Sequence, residues 1–204
     1  PIYTAVMSTS SYGEVTKLFA WFAIFNVLLA YGMETGFFRF YTKSENKETV
    51  VSTSLISIAT TTLVFVFFAL LMQKNMANLF NSELRFVKYV IFILALDALV
   101  MIPFAWLRAN EKPLKYAIIK IFNVAINLGL NVFFLILLPN LVQDTPDSLF
   151  GWMYKPNFQV SYILISNLIA SGITLVLMSP LYVKNTYRFD FNLLKSMMKY
   201  AVPV

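Results

Sequence analysis

The chain of 204 residues is 59% hydrophobic and only 13% charged, with a net charge of +6 and a mean hydropathy of +0.70. Soluble domains carry about 45–50% apolar and about 25% charged residues, so a water-soluble globule is excluded, and the excess charge needs no nucleic acid to explain it. Neither Cys nor His occurs, which removes disulfides, thiolate sites and the usual nucleophile and base of intramembrane hydrolases and acyl transferases.

The apolar residues come in blocks long enough to cross a hydrocarbon layer of about 30 Å as helix, not in the short alternating segments of an outer-membrane barrel. The composition therefore predicts an all-α fold: a polytopic transmembrane helix bundle, one domain over residues 1–204, with five full spans and partial helices at both ends. PIYTAV reads as the tail of an earlier helix. The first full span runs from about Glu14 to Phe40, after the turn-like STSSYG (Ser8 to Gly13), and closes at TKSENKE (Thr42 to Glu48). The second covers about Val50 to Met72 and is followed by QKNMANLFNSE, whose Asn and Gln cluster predicts a short loop.

The third span covers about Leu84 to Leu107, with Pro103 predicting a kink near its end, and RANEKP (Arg108 to Pro113) makes the next turn. The fourth runs from about Leu114 to Leu138. PNLVQDTPDSLFGWMYKPN (Pro139 to Asn157) is the longest loop, with Trp152 and Tyr154 at headgroup level. The fifth span is about Phe158 to Val183, after which KNTYRFDFNLLKSMMKY leads into a sixth helix that stops at YAVPV. A first residue Pro1 instead of Met, and a last residue inside an apolar run, predict an internal piece of a longer chain. Eleven Lys and Arg flank the TKSENKE, RANEKP and KNTYRFD side against five on the other. The positive-inside rule then puts the first group in the cytoplasm.

Several polar groups fall at membrane depth. Glu34 lies roughly 9 Å inside the basic end of the first span at about 1.5 Å per residue, where a carboxylate costs on the order of 2–3 kcal/mol and faces a bundle interior or an aqueous cavity. Arg39 is about 140° further round the helix, too far for an intrahelical pair; it reads either as an interface anchor beside Phe38, Phe40 and Tyr41 or as a cavity residue. Asp97 is a second intramembrane acid, with Arg108 on nearly the same helical face about 16 Å along. It could serve a shared cavity or fix helix packing.

In the fourth span Tyr116, Lys120, Asn123, Asn127 and Asn131 keep within about 80° of one another. Such a stripe does not face lipid; it is either glue between helices or the wet wall of a pathway. Ser161, Asn167, Ser171, Gly172 and Thr174 in the fifth span read mainly as close helix packing. The acids at depth are too few for an all-oxygen metal site.

With these residues in view, the sequence resembles the polysaccharide-transport branch of the multidrug/oligosaccharidyl-lipid/polysaccharide exporter superfamily, the flippases of O-antigen and capsule assembly. PIYTAVMSTSSYGEV resembles the end of that family's first helix and the following loop, LLAYGMETGFFRFY its second helix, and ALDALVMIPFAWLRANEKPLKYAIIKIFNVAINLGLNVFFL its fourth and fifth. The resemblance implies the amino-terminal lobe of a two-lobed exporter in a bacterial inner membrane. Such a protein is not an enzyme; it flips an undecaprenyl-pyrophosphate-linked oligosaccharide to the outer leaflet by alternating access, ion-coupled and without a bound cofactor or metal. Its partners would be the lipid-linked oligosaccharide, membrane lipids and the glycan polymerase machinery.

On that reading Arg39, Arg108 and Lys120 offer cations to a pyrophosphate, Asn123, Asn127 and Asn131 offer amides to sugar hydroxyls, and Glu34 or Asp97 carries a coupling H⁺ or Na⁺. The rival readings are a multidrug or cation antiporter of the same superfamily, whose cavity would be more apolar and acidic, and a non-transporting membrane scaffold, in which every polar stripe is glue.

Overall fold

The computed structural model describes residues 3, 6–144, 151–183 and 185–201. Among them there is no strand, and five helical stretches are long and apolar enough to span a membrane, so the protein is an all-α, multi-pass bundle. In chain order the helices are α1 (Thr9–Ala30), α2 (Met33–Lys43), α3 (Lys47–Leu71), α4 (Gln73–Leu79), α5 (Leu84–Ala109), α6 (Pro113–Val132), α7 (Leu138–Asp144), α8 (Gln159–Val183) and α9 (Phe191–Ala201). A π-helical turn, Phe133–Leu137, joins α6 to α7, and a single 3₁₀ turn, Gly151–Met153, stands in the long loop. Of PIYTAV, Tyr3 and Val6 are helical; residues 1, 2, 4, 5 and, in the long loop, 145–150 lie outside the described residues.

The first span departs from its sequence reading at both ends. STSSYG is not a turn: Ser8 caps α1 by accepting the Ser11 N–H at 3.2 Å, so the helix starts at Thr9. The span then breaks where LLAYGMETG reads as unbroken helix, because Tyr31 and Gly32 both take left-handed backbone (φ 33° and 70°). Gly32 adopts that conformation freely. Tyr31 does not, and its hydroxyl is held by Ser57 Oγ of α3 at 2.9 Å.

QKNMANL, read as loop, is the helix α4. It closes on a Schellman arrangement, with Ser82 N–H donating to the Ala77 carbonyl, Asn81 N–H to that of Asn78, and Asn81 at φ 46°. Ala77 and Met76 join a cluster with Phe80, with Trp21 and Phe25 of α1, and with Leu84, Val87 and Ile91 at the start of α5. The RANEKP turn repeats the device: Lys112 N–H reaches Leu107 O, Glu111 N–H reaches Arg108 O, and Pro113 starts α6 where its missing N–H is not needed.

α5 is the central helix, the most deeply buried of the spans, and it packs on α3, α8, α1, α2 and α6. At the Lys- and Arg-rich end Met33, Phe37, Val50, Leu55, Ile58, Ile102 and Met197 form one core; at the other end Leu18, Ile93, Leu94, Leu138, Ile163 and Leu164 form another. α9 lies on α2 with almost no gap. A carbon added at Gly32 would stand 2.8 Å from the Ala201 carbonyl oxygen, and one at Gly36 would stand 3.2 Å from that of Met197. The spacing Gly32-x-x-x-Gly36 is the small-residue pattern that lets two helices meet backbone to backbone.

Candidate functional site

Four spans converge on a cavity of about 570 Å³. Its walls follow helical registers. α1 contributes Phe22, Asn26 and Ala30, and the same four-residue step continues across the break to Glu34 of α2. α5 contributes Asp97, Val100, Phe104 and Arg108; α6 contributes Tyr116, Lys120 and Asn123; α8 contributes Asn167, Ser171 and Thr174. Steps of three and four place each set on one face of its helix. α1 and α6 flank the cavity without substantial packing on each other.

The cavity carries two acids and two bases. Glu34 and Arg108 form an ion pair between α2 and α5, each side chain a little over one third exposed. The Arg108 guanidinium also lies 5.1 Å from the Phe38 ring centre and 5.4 Å from that of Tyr116, which fixes its plane by cation–π contact. Asp97 accepts the Ser171 hydroxyl at 2.7 Å. The Lys120 ammonium stands 4.4 Å from the Phe104 ring centre, and among the described residues it belongs to no ion pair. It is thus the cation of the cavity with no carboxylate bound to it.

The amide stripe of α6 divides in two. Asn123, half-buried at the cavity wall, donates to Thr174 Oγ1 at 2.9 Å. Asn127 donates to Asn167 Oδ1 at 3.3 Å, behind the wall. Asn131 is buried at 1% exposure and donates to the carbonyl and side chain of Asn127 at 2.8 and 2.6 Å. Tyr116, Lys120 and Asn123 therefore face the cavity, whereas Asn127 and Asn131 tie α6 to α8 and to itself.

Of the residues singled out from sequence, Glu34, Asp97, Arg108, Lys120 and Asn123 line this one space. Asn127 and Asn131 do not line it: Asn127 bonds to the lining residue Asn167, and Asn131 bonds to Asn127. Arg39 does not line it; its guanidinium stacks 4.0 Å from the Tyr200 ring centre of α9. Asn26, Asn167, Ser171 and Thr174 line the cavity too. Sequence reading passed over Asn26 and gave the other three to packing. The signals were present: 26, 30 and 34 share a step of four, and 167, 171 and 174 repeat the four-then-three spacing of 116, 120 and 123. Among the described residues no three Asp, Glu, His or Cys side chains gather into a metal-binding group.

Fold and cavity together define a multi-pass membrane helix bundle with a charged, amide-lined space at membrane depth. Beyond that class, no family model matches the sequence, and neither a curated protein nor a solved structure matches it.

Proposed function

We propose that the protein is one lobe of a membrane flippase, moving an undecaprenyl-pyrophosphate-linked oligosaccharide between leaflets of a bacterial inner membrane with its Lys- and Arg-rich end in the cytoplasm. The observation that carries the reading is the joining of Glu34, Asp97, Arg108, Lys120 and Asn123 in one cavity of about 570 Å³ inside a membrane bundle. Intramembrane charges are costly and are kept where they face water or a substrate path. The resemblance of LLAYGMETGFFRFY and the α5–α6 stretch to polysaccharide exporters adds the substrate class.

The site suits an amphiphile with an anionic head and a hydroxyl-rich body. Lys120 offers an uncommitted cation, and Arg108 a planar one able to bind phosphate oxygens in pairs. Asn26, Asn123 and Asn167 offer donors and acceptors to sugar hydroxyls. A pyrophosphate arriving at Arg108 competes with Glu34 for the same guanidinium, and the displaced Glu34 is then free to take up H⁺ or Na⁺. Coupling follows from that exchange with no covalent step, so the protein acts as a transporter and not as an enzyme.

The test replaces Glu34→Gln and Asp97→Asn separately in cells that display a lipid-linked glycan, scoring surface glycan beside folded protein. Surface glycan is expected to fall at least tenfold while folded protein persists. Normal glycan with both proteins folded would overturn the flippase reading, and glycan retained with drug export lost would replace it by the antiporter.

A further inference from the structure

A second cavity, of about 450 Å³, lies on a different face of α5. It is framed by the end of α2, the start of α3, the last turns of α5 and α8 and the first turn of α6. Three spans end here: α3 starts at Lys47, α5 ends at Ala109 and α8 ends at Val183. That places the cavity in the headgroup layer, the level that Trp106 on its wall and Tyr41 beside it are suited to.

Its depth is apolar and its rim is not. Val51, Pro103, Met178 and Leu181 make the walls. At the mouth stand Lys47 and Lys115, both exposed and in no ion pair among the described residues, against the one acid Glu48. Lys47 is held 5.3 Å from the Tyr41 ring centre, so its ammonium is positioned and not merely tethered. Asn185 carries the most specific signal. It is a residue of the cavity wall, and its Nδ2, shielded from solvent, has no acceptor among the described residues. A buried donor left unpaired is destabilising, and an ester carbonyl or phosphate oxygen supplies what it lacks.

We infer that this cavity is a binding site for an anionic phospholipid, with an acyl chain against Val51, Pro103, Met178 and Leu181, the phosphate between Lys47 and Lys115, and a headgroup oxygen on Asn185. The site is separate from the charged cavity and does not depend on the transport reading. A free anion would use the lysines and leave the apolar walls bare; a neutral lipid would use the walls and leave the lysines unmatched. The combination selects an anionic lipid.

The experiment is photolabelling of the full protein in vesicles, with phosphatidylglycerol carrying a diazirine on its acyl chain, compared with phosphatidylcholine carrying the same chain. Phosphatidylglycerol is expected to label the 103–107 and 177–181 segments several-fold more than phosphatidylcholine. Lys47→Gln and Lys115→Gln should each lower that labelling by about fivefold, the change that about 1 kcal/mol of headgroup attraction per charge corresponds to. Met178→Trp, which narrows the apolar part of the cavity, should lower labelling by both lipids. Equal labelling by the two lipids, labelling elsewhere only, or competition by inorganic phosphate alone would each overturn the assignment. Both lysines are exposed, so their loss leaves folding intact and the result readable.

Discussion

Two groups of polar residues within the apolar spans of this protein have opposite characters. Along α3, Ser52, Thr53 and Ser54 are completely buried and Ser57 is nearly so. Ser54 donates to the Val50 carbonyl at 2.8 Å, Ser52 Oγ accepts the Arg188 N–H at 2.6 Å, Thr53 Oγ1 accepts the Asp190 N–H at 3.1 Å, and Ser57 meets Tyr31. These hydroxyls pin the α8–α9 connection and the helix break to α3. In the charged cavity the ions and the amide at its wall are the wetter groups: Glu34, Asp97 and Asn123 remain partly exposed, whereas the hydroxyl residues Ser171 and Thr174 beside them are buried. A hydroxyl has few bonds to satisfy and can be dry once paired. A carboxylate or ammonium has more capacity than one neighbouring helix supplies, so it keeps contact with a wet space; the amides divide, with Asn123 at the cavity wall and Asn131 buried against Asn127. Bonding capacity, more than polarity, separates structure from site here.

The sharpest way to break the dry region is Gly32→Ala. The new carbon combines a left-handed backbone, costing about 1–2 kcal/mol, with a 2.8 Å approach to the Ala201 carbonyl that adds about 1–3 kcal/mol of overpacking. A loss of about 2–5 kcal/mol is expected in detergent unfolding, with α9 released from α2. An unchanged unfolding midpoint would mean that α9 does not hold the position described.

Thr53→Val comes next. It keeps the shape and removes the acceptor of the Asp190 N–H and the hydroxyl that reaches Arg188 O at 3.5 Å. The expected loss is about 1–3 kcal/mol, accompanied by faster amide exchange at Arg188 and Asp190. Asp97→Asn, by contrast, should leave stability nearly unchanged, because the amide oxygen still accepts from Ser171. If the two substitutions proved equally damaging to the fold, the division between dry hydroxyls and wet cavity groups would fail.

Much of this was legible in the sequence, for local reasons. Span positions follow from runs of apolar residues, and the Asp97–Arg108 alignment follows from helical geometry within one segment; both line one cavity. What escaped depended on contacts distant in sequence. Nothing near LLAYGMETG announces a break, since the requirement for it comes from α9 lying against Gly32 and Gly36 some 160 residues later. The amides of QKNMANL suit a loop, yet Ala77 and Met76 bury against partners on other helices. Asn167, Ser171 and Thr174 are individually as small and polar as packing residues, and only the position of α6 and α5 opposite them makes a wall.

The smallest expected effect is the most discriminating, and it concerns the Glu34–Arg108 pair. Both side chains are a little over one third exposed, so their Coulomb attraction is screened and a double-mutant cycle with Glu34→Gln and Arg108→Gln should give a coupling of about 0–1 kcal/mol, smaller still at high salt. A sealed pair would behave differently: removing one partner would strand a buried charge at about 3–5 kcal/mol. The cycle therefore measures how wet the cavity is without reference to any substrate. A weak, salt-sensitive coupling fits a pair that an arriving anion can open at little cost, which the proposed exchange at Arg108 requires. A strong, salt-insensitive coupling would make the pair a structural clamp, and it would remove Arg108 from the substrate path while leaving Lys120 as the free cation there.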